Sequence, residues 1–389
     1  MNKDKIEQYR KTYFDGLFCD TLPFWLKNAV DPQLGGIMTC LDREGNVFDT
    51  DKGMWQQGRF AWTLGYLYNN FQKNELWLDT CEKTLRFLQS YGFDSDGRMF
   101  FQTTRDGRPI RKRRYAFSES FGAISFAQFA QATGSDEARQ IALECYKLYD
   151  NHVPAPPKYT DERPMIGFGK YAIQIATVQQ LRESIGYTQA DADIDACIEA
   201  IERYFIKPDI RCVMESVAPD GEIVDSCDGR LLNPGHAIEA AWFIMYEGKV
   251  RQKPEYVQLG LQMLDWMFER GWDQEYGGLL YFCDVYNKPV VEYWQDMKFW
   301  WNHNETIIAT LLAYQLTGEE KYAEMHEKIH RWSYAHFPDA QHGDWFGYLH
   351  RDGTVATTQK GNMFKGCFHL PRMQWECLRI CEELLGASN

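Results

Sequence analysis

Two kinds of helical pattern alternate along the chain. In the first, apolar residues recur at intervals of three and four while charges occupy the remaining positions, as with Cys81, Leu85 and Leu88 beside Glu82, Lys83 and Arg86. Segments of this kind cover residues 5–29, 73–91, 135–151, 190–205, 255–270 and 319–337, and each predicts a helix with one wet face. In the second kind the residues are apolar or small almost all round, as in WTLGYLY, FGAISFAQFA, AAWFIMY and TIIATLLAY, which predicts helices enclosed on several sides. Most enclosed helices are preceded by a turn, a short aromatic or β-branched strand and a second turn. DPQLGGIMTCLDREG from Asp31, DSDGRMFFQTTRDG from Asp94, RCVMESVAPDG from Arg211, DQEYGGLLYFCDVYNK from Asp273 and DAQHGDWFGYLHRDG from Asp339 are read as five β-hairpins, with Gly supplying positive φ at the turns.

The enclosed helices begin near Trp55, Phe117, Phe168, Pro234, Trp300 and Phe368, spaced 62, 51, 66, 66 and 68 residues apart. The short interval coincides with VPAPPKYTDERPM from Val153 to Met165, a Pro-rich loop in place of a hairpin. Six wet-faced helices alternating with six enclosed ones predict an (α/α)6 barrel of twelve helices. Its short hairpins should lie on the rim where the inner helices begin, and residues 1–389 should form one domain. One helix start is legible in detail. Asn233 suits the N-cap and Pro234 the first helical position, where a missing N–H costs nothing, so His236 and Glu239 fall in the first turn on one face near the positive end of the helix dipole.

Composition narrows the partner. The formal net charge of −13 argues against nucleic acid or an anionic membrane, either of which calls for a basic surface. Aromatic residues, 13 Trp and 22 Tyr among them, make up 15% of the chain, which suits a deep cleft lined by flat amphipathic rings of the kind that accepts carbohydrate. No apolar run reaches the roughly 18–20 residues of a membrane span, and MNKDKIEQYRKTYF lacks the apolar stretch of a signal peptide. The 11 cysteines are scattered, with no C-x-x-C pair. A cytoplasmic protein with reduced thiols is the expectation.

If the six inner helices run parallel, their first turns surround one pocket. Those turns carry Trp55, Gln56 and Arg59; Ser118 and Glu119; Lys170 and Gln174; His236 and Glu239; Trp301, His303 and Glu305; and His369 with Arg372. No H-E-x-x-H or H-x-x-x-H pairing occurs among them, and Gly167-Phe-Gly169-Lys170 lacks the spacing of a phosphate-binding loop. Neither a metal nor a nucleotide cofactor is expected. Histidines on different helices, an arginine, carboxylates and aromatic walls suit proton abstraction next to a carbonyl. One imidazole removes the proton, a second returns one to the opposite face, and a fixed guanidinium such as that of Arg59 stabilises the enediolate oxygen between the two events.

NPGHAIEAAWF, MKFWWNHNETIIA, KGNMFKGCFHLPR and MWQQGRFAW together resemble the N-acylglucosamine 2-epimerase family, also called renin-binding protein, in order and spacing over essentially the whole chain. The resemblance implies an (α/α)6 barrel that interconverts N-acetylglucosamine and N-acetylmannosamine at carbon 2 of the opened sugar. It implies His236 and His369 as proton carriers, Arg59 on the carbonyl oxygen, and Glu239 and Glu305 as groups that orient substrate or histidine. Trp55, Gln56, Trp301, His303 and Arg372 are then expected to bind substrate. It also implies ATP as an effector with no cofactor required, and a homodimer is the default assembly. The related cellobiose 2-epimerases and aldose-ketose isomerases carry a further histidine on the third inner helix, where this chain has GFGKYAIQIA, which favours the N-acyl sugar branch. That same stretch also departs from the Ser-Met-Ala type of the animal renin-binding proteins.

Two other classes remain open from the sequence. An inverting glycoside hydrolase could use Glu119, Glu239 and Glu305 as its acid and base. A non-catalytic partner-binding protein would have no need of His236 and His369 in one cavity.

Overall fold

The computed structural model describes residues 1–153 and 163–386, so the Pro-rich stretch read as a loop between Val153 and Met165 lies for the most part outside the described residues. Among those described, twelve helices carry the architecture. The first, α1, spans residues 3–28 and includes a wider π-type stretch at Gly16–Thr21. Then follow α2 (Met54–Asn70), α3 (Glu75–Tyr91), α4 (Phe117–Thr133), α5 (Asp136–Asp150), α6 (Phe168–Ile185), α7 (residues 190–205), α8 (Pro234–Val250), α9 (Pro254–Gly271), α10 (Trp300–Thr317), α11 (Glu320–His336) and α12 (His369–Leu384). The even-numbered helices pack side by side and each lies against the odd-numbered helix that follows it, while α12 is backed by α1. The result is an (α/α)6 barrel. Its inner ring closes where the Trp375 indole of α12 stacks on Tyr66 of α2, ring centroids 4.7 Å apart.

Burial explains the two sequence patterns. Along α10 every residue from Trp300 to Ala313 is buried, because this helix has neighbours in both rings. On α3 only one stripe, including Trp77, Cys81, Leu85 and Leu88, is buried. The α8 start is as its sequence requires: the Asn233 side-chain oxygen accepts the His236 N–H at 3.1 Å, with Pro234 in the first turn.

The hairpins are short and do not act alone. The strand leading into an inner helix pairs with the hairpin of the next unit: Lys52–Gly53 with Gln102–Thr103, Ile166–Gly167 with Ser216–Val217, Leu231–Leu232 with Cys283–Asp284, and Lys298–Phe299 with Tyr348–Leu349. A bridge between Leu41 and Gly361 joins the last unit to the first. Three of these junctions carry the same buried ion cluster. Asp31 is bonded to Lys52 at 3.0 Å and to Arg105 at 2.9 Å, and Asp273 to Lys298 at 2.9 Å and to Arg351 at 2.9 Å. Asp339 lies 3.2 Å from Lys360 and 2.8 Å from Arg43. In each, the Asp opens one hairpin and the Arg comes from the turn of the next, so the rim is tied round as a belt. The three lysines are fully buried. Burial opposes the charge on each Asp, but the paired cations outweigh it and hold all three carboxyls well below the usual carboxylate range.

Candidate active site

First turns from all six inner helices line one cavity of about 1070 Å³, among them Arg59, Phe121, Lys170, His236, Trp301 and His369. His369 and His236 approach it from α12 and α8, with the Trp301 ring between them, 5.7 Å from the first imidazole and 4.9 Å from the second. Each histidine uses Nδ1 to reach a carboxylate. His369 Nδ1 is 2.7 Å from Glu305 Oε1, and His236 Nδ1 is 2.9 Å from Glu215 Oε1. Those contacts fix the tautomer and leave Nε2 of both rings free for chemistry.

The two environments differ in sign. Burial pulls His236 down, but the Glu215 carboxylate, with Glu239 behind it, outweighs burial and leaves this histidine above its ordinary value. His369 is held well below its ordinary value, first by burial and then by the Arg59 guanidinium. The two imidazoles are thus set apart in proton affinity, His236 the readier to hold a proton and His369 the readier to stay neutral, the complement an acid and a base need. Burial also pushes Glu305 up while Arg372 pulls it back down.

Around this pair the carboxylates are drawn onto one guanidinium. Arg372 donates to Glu305 at 2.7 Å and to Glu239, and the Trp242 indole N–H donates to the other Glu305 oxygen at 2.8 Å. Glu239, Glu305 and His369 offer ligand atoms within 4.8 Å of one another, a spacing that a metal ion could use. The Arg372 guanidinium, bonded to both carboxylates, already supplies the positive charge there.

Arg59 is held differently. It donates to the Phe364 carbonyl at 3.2 Å and lies over the Phe121 and Phe368 rings at 4.3 and 4.6 Å, while its Nε has no partner. Burial pushes it down to about 9, which leaves it protonated at neutral pH. A guanidinium clamped between rings and short of acceptors is a ready site for a developing oxyanion.

Seven of the residues expected from sequence line the cavity: Trp55, Arg59, His236, Glu239, Trp301, His369 and Arg372. Glu305 lies directly behind the wall, fully buried, with Oε1 against His369 Nδ1. Three expectations are corrected. His303 faces away from the cavity. Its Nδ1–H donates to the Phe299 carbonyl at 2.6 Å, its Nε2 accepts the Leu279 N–H at 3.0 Å, and its ring stacks on Trp332. With both nitrogens committed and burial lowering it to about 3, His303 is a neutral pin between α10 and its hairpin. There Gly278, at φ +72°, leaves no space for a side chain, since a Cβ would come within 3.0 Å of His303 Nε2. Gln56 also leaves the wall: it is buried and holds the Met363 carbonyl at 3.3 Å, securing the loop that carries Phe364. Glu239 is held by Arg372 and still faces the cavity. Glu119, the third of these corrections, is turned to Arg98 and to the Met99 N–H at 2.9 Å, so it takes no part in the cavity.

Two functional groups escaped the sequence reading. Glu215 lies in the hairpin before α8, and its only signal is a lone carboxylate within the apolar run VMESV. Trp242 is two turns into α8, inside a stretch that reads as core.

The fold and the site define an enzyme of the acid–base type built on an (α/α)6 barrel. Its carboxylates Glu239 and Glu305 are bridged by one arginine. The chain belongs to the N-acylglucosamine 2-epimerase family, matching the family N-acylglucosamine 2-epimerase (GlcNAc 2-epimerase) over residues 35–165 and 175–368. It is 34% identical to the N-acylglucosamine 2-epimerase of Mus musculus over 385 residues, covering 94% of this chain and 89% of that protein. It is equally 34% identical to that of Homo sapiens, with 94% and 87% covered. The solved structure of cellobiose 2-epimerase from Spirochaeta thermophila superposes with a TM-score of 0.85 at 20% identity, covering 98% of each chain, which shows the shared fold. The protein is a carbohydrate epimerase.

Proposed function

We propose that the protein interconverts N-acetyl-D-glucosamine and N-acetyl-D-mannosamine by moving a proton at carbon 2 of the open-chain sugar. The observation that carries this reading is the pair of histidines with opposed protonation tendencies on either side of Trp301, each with Nε2 free. Their curated relatives at 34% identity bear the N-acylglucosamine 2-epimerase name.

The steps follow from the geometry. The aldehyde oxygen accepts from Arg59, which withdraws electron density and acidifies the carbon 2 proton. Neutral His369 takes that proton from one epimer, with Glu305 stabilising the imidazolium that forms. The negative charge settles on the carbon 1 oxygen held by Arg59 as an enolate. His236, whose hold on a proton is strengthened by Glu215, returns a proton to the opposite face. In the reverse direction the roles exchange. No bond to a leaving group breaks, and no step consumes ATP, so we treat ATP as an effector, tested by comparing turnover with and without it. We further propose a cytoplasmic homodimer. The eleven unpaired cysteines suit a reducing compartment, two-fold dimers are the commonest closed assembly, and a monomer in analytical ultracentrifugation would remove the second part.

Deuterium wash-in tests the chemistry. In deuterated water, His236→Asn and His369→Asn should each abolish net epimerisation yet retain slow exchange at carbon 2 of one epimer, and not the same one. General base catalysis contributes about 10² to 10⁴ in rate, so the residual exchange should be slow. If one variant exchanges both epimers equally, or keeps near-normal epimerisation, the two-histidine assignment fails. Release of free sugar from a glycoside would instead support hydrolysis.

A further inference from the structure

The active-site cavity extends well below the histidines. It continues down the barrel axis to Tyr66, Glu183, Tyr246 and Arg379, roughly two to four turns further along α2, α6, α8 and α12. The same four residues also line a second cavity, of about 600 Å³, bounded by Asn70, Gln131, Val250 and Glu382 at the C-terminal ends of the inner helices. One polar belt is thus both the floor of the upper cavity and the roof of the lower one.

A barrel core that served only stability would be filled here with apolar side chains. Instead the belt is wired by hydrogen bonds. Arg379 donates to the Tyr66 hydroxyl at 2.7 Å and lies 3.5 Å from Glu376, the Tyr246 hydroxyl donates to Glu183 at 2.9 Å, and Gln180 reaches Glu183 at 3.2 Å. Glu183 remains exposed to solvent although protein surrounds it on almost every side, as expected of a group facing a hydrated shaft. Charged groups so enclosed are tolerated when water or partners satisfy them. The upper cavity is also larger than one amino sugar, lying at the upper end of the roughly 300–1,000 Å³ of small-molecule sites, so a seated substrate leaves space for water beneath it.

That space meets a need of the proposed chemistry. A two-histidine epimerase ends each turnover with its protons exchanged: the base has gained one and the acid has lost one. Before the next turnover in the same direction, one proton must leave the first histidine for water and another must reach the second from water. If fresh substrate has already closed the upper mouth, the exchange needs another route. We propose that the barrel is open to water at both ends, and that the belt of Tyr66, Glu183, Tyr246 and Arg379 with the lower opening is the path by which the histidines recover their protons while substrate occupies the mouth. The proposal rests on the two-histidine reading.

The test uses the full chain with Glu183→Gln, which keeps the shape and an oxygen to accept from the Tyr246 hydroxyl but removes the titratable group, and Val250→Trp, which narrows the lower opening from an exposed position. Initial rates are followed from well below to far above KM. The parent enzyme should reach a plateau. In both variants the rate should fall as substrate rises past KM, because substrate traps the wrongly protonated enzyme, while kcat/KM and Tm stay at parent values. A plateau in both variants overturns the proposal, and so does a loss of kcat/KM in step with Tm, which marks a structural role. Failure of the two-histidine reading is seen separately, as retained epimerisation by His236→Asn or His369→Asn.

Discussion

Replacing Glu215 by Gln isolates the contact that makes the two histidines different. The substitution keeps the side-chain shape and leaves the Glu215 backbone carbonyl free to accept the Phe168 N–H at 3.0 Å as before. What it removes is a negative charge 2.9 Å from His236 Nδ1. An adjacent opposite charge moves a titrating group by about one to three pH units. The histidine is 38% and the glutamate 21% exposed, so solvent screening places this pair at the lower end of that range. The sign follows from the direction of each shift. Epimerisation needs one proton on the pair of histidines, and the pH profile of kcat/KM reports the free enzyme with macroscopic constants that belong to the pair. Its acid limb is the second protonation, governed by His369 and displaced below the ordinary histidine range. The alkaline limb is the loss of the last proton, governed by His236 and displaced above that range. In Glu215→Gln the alkaline limb should therefore move down by about one pH unit while the acid limb stays, narrowing the bell from one side. Parallel profiles in both directions of the reaction provide the check. An unmoved alkaline limb, or one that moves up, refutes the assignment of His236 as the protonated partner.

Further outcomes are expected. Arg59→Lys should lower kcat by about 10² to 10³ with little change in KM, because a point charge cannot reproduce the clamped fork at the oxyanion, and a raised KM alone would argue against that role. His303→Phe should leave kcat per folded molecule intact but cost about 2–4 kcal/mol in denaturant unfolding, since the Leu279 N–H and the Phe299 carbonyl lose their partner; strong loss of kcat at unchanged stability would restore His303 to the site. The rim clusters give a pH dependence of stability. The Asp31, Asp273 and Asp339 carboxyls are depressed in the folded state, so their contribution is fully present above the unfolded value of about 4 and is lost as pH falls from there toward the folded values. Denaturation midpoints measured between neutral pH and acid should show that loss confined to the acid side, and Asp273→Asn should flatten it.

The local rules in the sequence reached far. Helix type could be read from the apolar pattern because a helix with neighbours in both rings cannot carry charges around its circumference, whereas an outer helix must. The Asn233-Pro234 start, and with it the depth of His236, was legible because capping is decided within four residues. The recurrence of inner-helix starts then placed Arg59, His236 and His369 at one rim. The sequence did not determine which way a side chain on such a turn points. His303 and His369 both lie in first turns of inner helices, yet one is rotated onto Trp332 and the other onto the cavity. A helical residue faces inward or outward according to the packing of its two neighbours, which local spacing does not contain. Partners drawn from distant segments were equally hidden. Glu215 reaches His236 across 21 residues, Glu305 reaches His369 across 64, and Arg372 reaches Glu239 across 133. Which histidine holds a proton more readily was decided by these contacts, because proton affinity depends on burial and on charges a few ångströms away in space. The chain alone supplied two histidines and an arginine at one rim, and only closure of the double ring gave the two imidazoles their different surroundings.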